Sequence, residues 1–157
     1  MAESLTQQAI LDEACRIAAS QLGGTLATMH SEDGTPYVTF VFFHLGANAE
    51  VIFGSAGGPQ HARNIQATPE VSFLIDNREV IRDDWTSFDR IVIEGRAAPL
   101  LSSESGYAER LRELEAKNKM AAYFTERGSL YVIRPRRLIL MKGIDQARHI
   151  VEFAQEQ

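Results

Sequence analysis

Between residues 4 and 20, Leu5, Ala9, Ile10, Ala14, Ile17 and Ala18 recur at helical spacing with glutamines and acids between them. That spacing predicts an amphipathic helix over residues 4–20, and Gly23 and Gly24 stop it. The period then shortens. Residues 25–30 (TLATMH) favour strand, and SEDGTP after them carries Asp-Gly and proline turn chemistry, so a hairpin is expected. Its partner, Tyr37 to Leu45, is apolar at nearly every position from Phe40 to Phe43. A strand apolar on both faces is usually buried on both, inside a barrel or against a second subunit. GANAE then turns into a third strand, VIFG.

Pro59 to Ala67 reads as a short helix that ends at Thr68, because a residue before proline is pushed out of the helical region. VSFLID is a fourth strand. NREVIRDDWTS alternates charge with apolar residues and reads as a loop or a hairpin tip. RIVIEGRAAPL is a fifth strand in which Gly95 marks a bulge or a close backbone approach. Ser102 or Ser103 can cap a helix whose apolar positions include Leu111, Leu114, Met120 and Phe124. SLYVIRPRRLILMKG returns to strand, with Pro135 implying an edge or a bulge. The tail has helical spacing at Ile144, Ala147, Ile150, Val151 and Ala154, which predicts a C-terminal helix over about 144–155. The sum is one domain: a six-stranded antiparallel barrel over about 24–143 with helices at both ends and two inserted.

Composition narrows the function classes. A net charge of -5 argues against nucleic acid, which asks for a basic face. No apolar run approaches the ~20 residues needed to cross a bilayer, and MAESLTQQAILDE carries acids and glutamines where a signal peptide needs a basic and then an apolar stretch. One cysteine, Cys15, cannot form an internal disulfide and suits a reducing cytoplasm. Its neighbours Ala14, Ile17 and Ala18 suggest a small buried hydrophobe rather than a nucleophile.

The inferable chemistry gathers where the third strand meets the short helix, at GSAGGPQHARN. Proline is favoured at the first helical position, and the unpaired N–H groups beyond it make a helix N-terminus attractive to phosphate. The segment lacks the spacing of G-x-G-x-x-G and has no G-K-[ST], so neither familiar nucleotide loop is present. No HExxH or CxxC suggests a metal, and no G-x-S-x-G elbow suggests a serine hydrolase. Of the scattered histidines, His61 alone sits in a suggestive place. Phe40, Phe42 and Phe43 read first as packing residues. Arg134, Arg136 and Arg137 are too few for nucleic-acid binding.

Taken in order, GTPYVTFVFFH, VIFGSAGGPQHARNIQATPEVSFLI and RIVIEGRAAPL resemble the pyridoxamine 5'-phosphate oxidase-like proteins, the FMN-binding split-barrel superfamily. The resemblance covers roughly Gly24 to Leu100, with a looser echo in YVIRPRRLILMKG. It implies a homodimer with a flavin at the subunit interface and a two-electron oxidation or reduction of a small organic substrate. It places the flavin ring along Thr39, Phe40, Val41 and Phe42, and the phosphate at Ser55, Gln60 and His61. Arg63 is a further candidate for the phosphate, and Arg90 on the fifth strand for a polar contact. The family's phosphate site normally uses an Arg-Lys pair where this chain has Gln60 and His61, and the oxidase has arginine and lysine where this chain has Thr39 and His44. The resemblance therefore implies an FMN cradle with a modified grip, in which His61 is expected to carry partial charge beside the phosphate. No general acid is assigned. Alternatives within the fold are deazaflavin F420, or haem on an axial His61, His44 or His149. A different class is a non-enzymatic stress-response protein that has lost the cofactor.

Overall fold

The structure, a computed structural model, describes residues 4–144 and 148–155. Helix α1 (Gln7–Ala19) is capped by Thr6, whose hydroxyl accepts the Ala9 N–H at 3.2 Å. It buries Ile10, Leu11, Ala14, Ile17 and Ala18, the stripe its spacing dictates. Then follow β1 (Gly23–Met29), β2 (Pro36–Phe42), β3 (His44–Leu45), β4 (Val51–Ala56), α2 (Gln60–Ala67), β5 (Glu70–Asp76) and β6 (Arg90–Leu100). Helices α3 (Tyr107–Lys117) and α4 (Met120–Glu126) precede β7 (Gly128–Met141) and β8 (Arg148–Glu152).

All pairings in the sheet are antiparallel, in the order β2-β1-β5-β6-β7-β4-β3, with β8 also on β7. The two ends of that order, β2 and β3, are consecutive in the chain and separated by Phe43 alone. One stretch, residues 36–45, therefore forms both edges, which curls the sheet into a split barrel. Phe43 is the corner, fully buried against Phe73 with ring centroids 5.2 Å apart. Phe53, Leu26, Ile75, Ile91, Ile93 and Ile133 fill the interior around it.

Strand β7 runs along β6 on one side and changes partner on the other. Val51–Ala56 of β4 pair with Gly128–Ile133, and β8 pairs with Arg137–Met141. Pro135 falls between those two stretches, where a missing N–H leaves no ladder bond unmade on that side. Opposite it, the register shifts between Glu94 and Gly95. A Cβ on Gly95 would overlap the Arg134 carbonyl oxygen, so the bulge and the close approach occur at one residue. At the far end of β7, Lys142 donates to Asp89 at 2.9 Å and also to Glu13 of α1. Arg16 and Lys142 together hold the Glu13 carboxyl down to about 2, against the partial burial that opposes them.

Several expectations need correction. Among the described residues there are eight strands rather than six, because Phe43 divides the second and β8 is added. The C-terminal helix expected over 144–155 is absent where it can be seen: residues 148–152 are strand β8, and 145–147 lie outside the described residues. The helix expected after Ser102 is two helices, α3 and α4. The N-cap of α3 is Gly106 at φ 81°, not Ser102 or Ser103. Within one chain the apolar run expected to be buried inside a barrel or against a second subunit covers one face: Val41 and Phe43 point inward while Phe40 is 57% exposed.

Candidate functional site

Strand β4 ends at Ser55 and Ala56, and Gly57–Gly58–Pro59 turns the chain into α2. Gly58 has φ +86°, a conformation that side chains rarely adopt. The Gly57 N–H donates to the Arg127 carbonyl at 3.0 Å, anchoring the turn to the start of β7. Gly128 lies against the same backbone. A Cβ there would overlap the Ser55 carbonyl oxygen and stand 2.6 Å from the Ala56 carbonyl carbon.

Pro59 is the N-cap of α2, at φ -70° and ψ 161°, rather than its first helical residue, and it offers no side-chain cap. Its carbonyl accepts the Ala62 N–H at 3.1 Å and the Arg63 N–H at 3.4 Å. The Gln60 and His61 N–H groups have no protein partner among the described residues. Two free donors at a helix N-terminus, with the partial positive end of the helix dipole, favour an anion.

His61 Nε2 and Ser55 Oγ share a hydrogen bond of 2.8 Å, and both side chains are buried. Burial lowers the His61 pKa below its ordinary value. The imidazole of the protein by itself is therefore neutral at pH 7. Phe53 packs edge-on against it at 6.2 Å.

Beside this pair lies a pocket of about 180 Å³ walled by Phe40, Val41 and Phe42 of β2, Gly54 to Ala56 of β4, Pro59, His61, and Phe124 of α4. The aromatic wall is continuous: Phe42 meets Phe40 at 5.4 Å and Phe124 at 6.1 Å. Phe40 also covers Gly23 of β1, where any Cβ would overlap its ring.

The other expected site residues do not join the pocket. Thr39 is on β2, paired with Leu26, but does not line the cavity. Gln60 Nε2 donates to Glu32 at 3.0 Å and to Asn64 Oδ1 at 2.8 Å. Arg63 donates to the Gly58 backbone carbonyl at 2.6 Å and to the Gln60 side-chain oxygen Oε1. It therefore sits on the glycine turn, folded back on the protein. Arg90, at the start of β6 between Asp76 and Met141, lies over the Phe88 ring at 5.4 Å and is not brought to this pocket. His44 faces Glu113 at 3.5 Å in another cleft, and His149 of β8 pairs with Leu140 of β7.

Two contributors escaped the sequence. Phe124 reads as helix core, and only the packing of α4 on β4 turns it to the pocket. Asn64 is 0% exposed, donates to Thr28 Oγ1 at 2.9 Å and accepts the Ser31 N–H at 2.9 Å, which fixes α2 to β1. The larger cavity of about 630 Å³ over β1, β5 and β6 holds the Glu70–Arg96 and Glu94–Arg136 ion pairs. Its charges satisfy one another, so it offers less chemistry than the smaller pocket. Among the described residues no group of three or more His, Cys, Asp or Glu side chains is placed to hold a metal, and no helix is long and apolar enough to cross a membrane.

The family model for pyridoxamine 5'-phosphate oxidase matches residues 10–142. No curated protein matches. Among solved structures, the heme binding protein of Mycobacterium smegmatis superposes with a TM-score of 0.78 at 23% identity, over 94% of this chain and 60% of that one. This chain thus spans less than two thirds of that protein. A FAD-binding protein of Mesorhizobium loti gives 0.66 at 19% identity, over 89% and 93% of the two chains. General Stress Protein 26 of Bacillus anthracis gives 0.62 at 16%, over 92% and 98%. At such identities the likenesses establish the fold alone. Together with the family match over most of its length, they show that the chain belongs to the pyridoxamine 5'-phosphate oxidase-like split-barrel family.

Proposed function

We propose that this protein is a cytoplasmic flavin-binding oxidoreductase that takes FMN and acts on a small organic substrate, in a pocket completed by a second copy of the chain. The observation that carries this reading is the polarity of the pocket. A serine hydroxyl and His61, whose amide has no protein partner among the described residues, stand at one end beside the Gln60 amide, and an aromatic wall fills the rest. A planar ring system ending in a phosphate has the same division. The Gln60 and His61 amides and Ser55 would hold the phosphate, with Arg63 on the adjoining turn, and Phe40 to Phe42 would orient the ring and exclude water. FMN, when bound, supplies the hydride chemistry. Neutral hydrogen bonds contribute about 1 kcal/mol each against about 1.5–3 for charged ones, so this grip is weaker than an Arg-Lys pair.

A volume of about 180 Å³ is too small alone, since ligand sites typically enclose roughly 300–1,000 Å³. Exposed apolar side chains adjoin it: Val38 and Phe40 on β2, and Met120 and Tyr123 on α4. A second copy laid there would bury them and deepen the pocket. Sedimentation equilibrium at micromolar concentration should give twice the 17.5 kDa chain mass; a single-chain mass would remove the interface from the proposal.

Haem is the second reading, favoured by one observation: His61 is a neutral, buried imidazole within an apolar pocket, the form that ligates haem iron. Absorbance of the purified protein and of protein titrated with FMN separates the readings. Flavin bands retained through gel filtration support FMN, a Soret band supports haem, and colourless protein that takes up neither FMN nor F420 favours a cofactor-free binding or stress role. His61→Ala should weaken FMN binding about tenfold, the effect of ~1.4 kcal/mol, while His149→Ala leaves it unchanged. Equal dissociation constants for both variants would take His61 out of the site.

A further inference from the structure

Helices α1 and α3 and strand β3 enclose a cavity of about 510 Å³ that shares no lining residue with the flavin pocket. Ala19 and Leu45 give it apolar surface, and Cys15, His44, Glu113 and Lys117 bring reactive groups to its wall. Lys117 is unusual among the three lysines of the chain. Lys142 is ion-paired to Glu13 and Asp89, which raise its pKa against the burial that opposes them, and Lys119 is exposed. Lys117 has no carboxylate in ion-pair contact among the described residues. Its amine donates to the Ala18 carbonyl at 3.0 Å and stands 3.6 Å from the centroid of the Phe43 ring. Those two contacts leave the third donor of the ammonium without a protein partner.

We propose that this cavity is a second binding site in which Lys117 reversibly captures small, neutral, apolar aldehydes and ketones as an imine. The amine lone pair attacks the carbonyl carbon, the nitrogen gives up both its protons, the carbonyl oxygen departs as water, and C=N replaces C=O. No oxidant or reductant is consumed. The rest of the wall fits that ligand. Glu113 faces the cavity and a second carboxylate, Asp12, acts on Cys15, so an anionic ligand would meet like charge. Burial pulls the Lys117 amine down to about 8, leaving a fraction of it unprotonated at neutral pH, the state that attacks carbonyls. Cys15 is the poorer nucleophile because burial raises its pKa and its thiol points to the Gly46 carbonyl at 3.6 Å. His44, which burial keeps neutral, lies 3.5 Å from Glu113 on the same wall. That pair can carry the protons that leave with water.

The test is reductive trapping of the full-length protein with hexanal and cyanoborohydride at pH 7.5, mapped by peptide mass spectrometry. Lys117 is expected to be modified at least ten times faster than Lys119 and Lys142, with a rate that saturates in hexanal. Lys117→Arg should abolish the fast, saturable phase. Rates within threefold of one another at the three lysines, or a Lys117 rate that rises linearly with hexanal, would overturn the proposal. The wild-type rate ratio decides the question even where the variant does not fold.

Discussion

Gly128→Ala is expected to lower stability by about 3 kcal/mol, at the upper end of overpacking effects, and to abolish FMN uptake. The added methyl has nowhere to go. It would overlap the Ser55 carbonyl oxygen and meet the Ala56 carbonyl carbon at 2.6 Å and the Gly57 nitrogen at 2.7 Å, all of them backbone. A flexible side chain could swing away, but β4 can yield only by breaking its pairing with β7 at Ser55–Ser129 and Ala56–Gly128. The same shift moves Ser55 and the glycine turn that presents the α2 amides. Gly57→Ala is the natural control, since a Cβ there meets only the Arg127 carbonyl oxygen at 3.4 Å. Urea midpoints of the two variants, read at a common m-value, should separate clearly. Equal midpoints would show that the strand pair is not packed as described.

Asn64→Ala should cost about 2–3 kcal/mol, because a buried hydrogen-bonding hub is removed and its partners are left behind. Asn64 is 0% exposed, and its amide joins Thr28 Oγ1, the Ser31 N–H and the Gln60 side chain. Alanine leaves the Ser31 N–H without its acceptor and opens space under α2. Helix α2 then loses its polar attachment to β1, so FMN affinity should fall along with stability. Gln60→Ala, which removes only peripheral hydrogen bonds to Glu32, Arg63 and Asn64, should change stability by less than about 1 kcal/mol. Thermal or urea unfolding of the two variants side by side measures the difference, and comparable losses would deny Asn64 its central role.

The elements that the sequence disclosed were those governed by local chemistry. Asp33-Gly34 made the β1–β2 turn readable, helical spacing gave α1, and the strand–glycine–proline junction marked where the unpartnered amides of α2 lie. Features set by distant partners were hidden. Residues 148–152 have apolar spacing compatible with a helix, yet the open side of β7 beyond Pro135 draws them into a ladder from Arg137 to Met141. Burial against partners of this kind outweighs local propensity. The surroundings of Gln60 and Arg90 were hidden for a similar reason. Glu32 holds the Gln60 amide across 28 positions of sequence, and β6 leaves Arg90 beside Phe88. Phe40 was legible as an apolar strand residue, but its side of the strand was not, because residues 36–45 supply both edges of the sheet.

That shared edge also sets an order of events. Strands β2 and β4 flank the aromatic pocket and lie close in the chain, yet no backbone hydrogen-bond ladder joins them; they are linked through β1, β5, β6 and β7. β4 pairs locally with the short β3, but it joins the main sheet by pairing Val51 with Ile133 and its neighbours in turn. Contacts between residues so distant in sequence carry a large loop-closure entropy and form late. During synthesis the cradle therefore cannot assemble until β7 has left the ribosome. If the cradle takes a cofactor, capture follows the emergence of β7, and a nascent chain stalled before it would carry Ser55 and His61 without the strand that holds β4 in place.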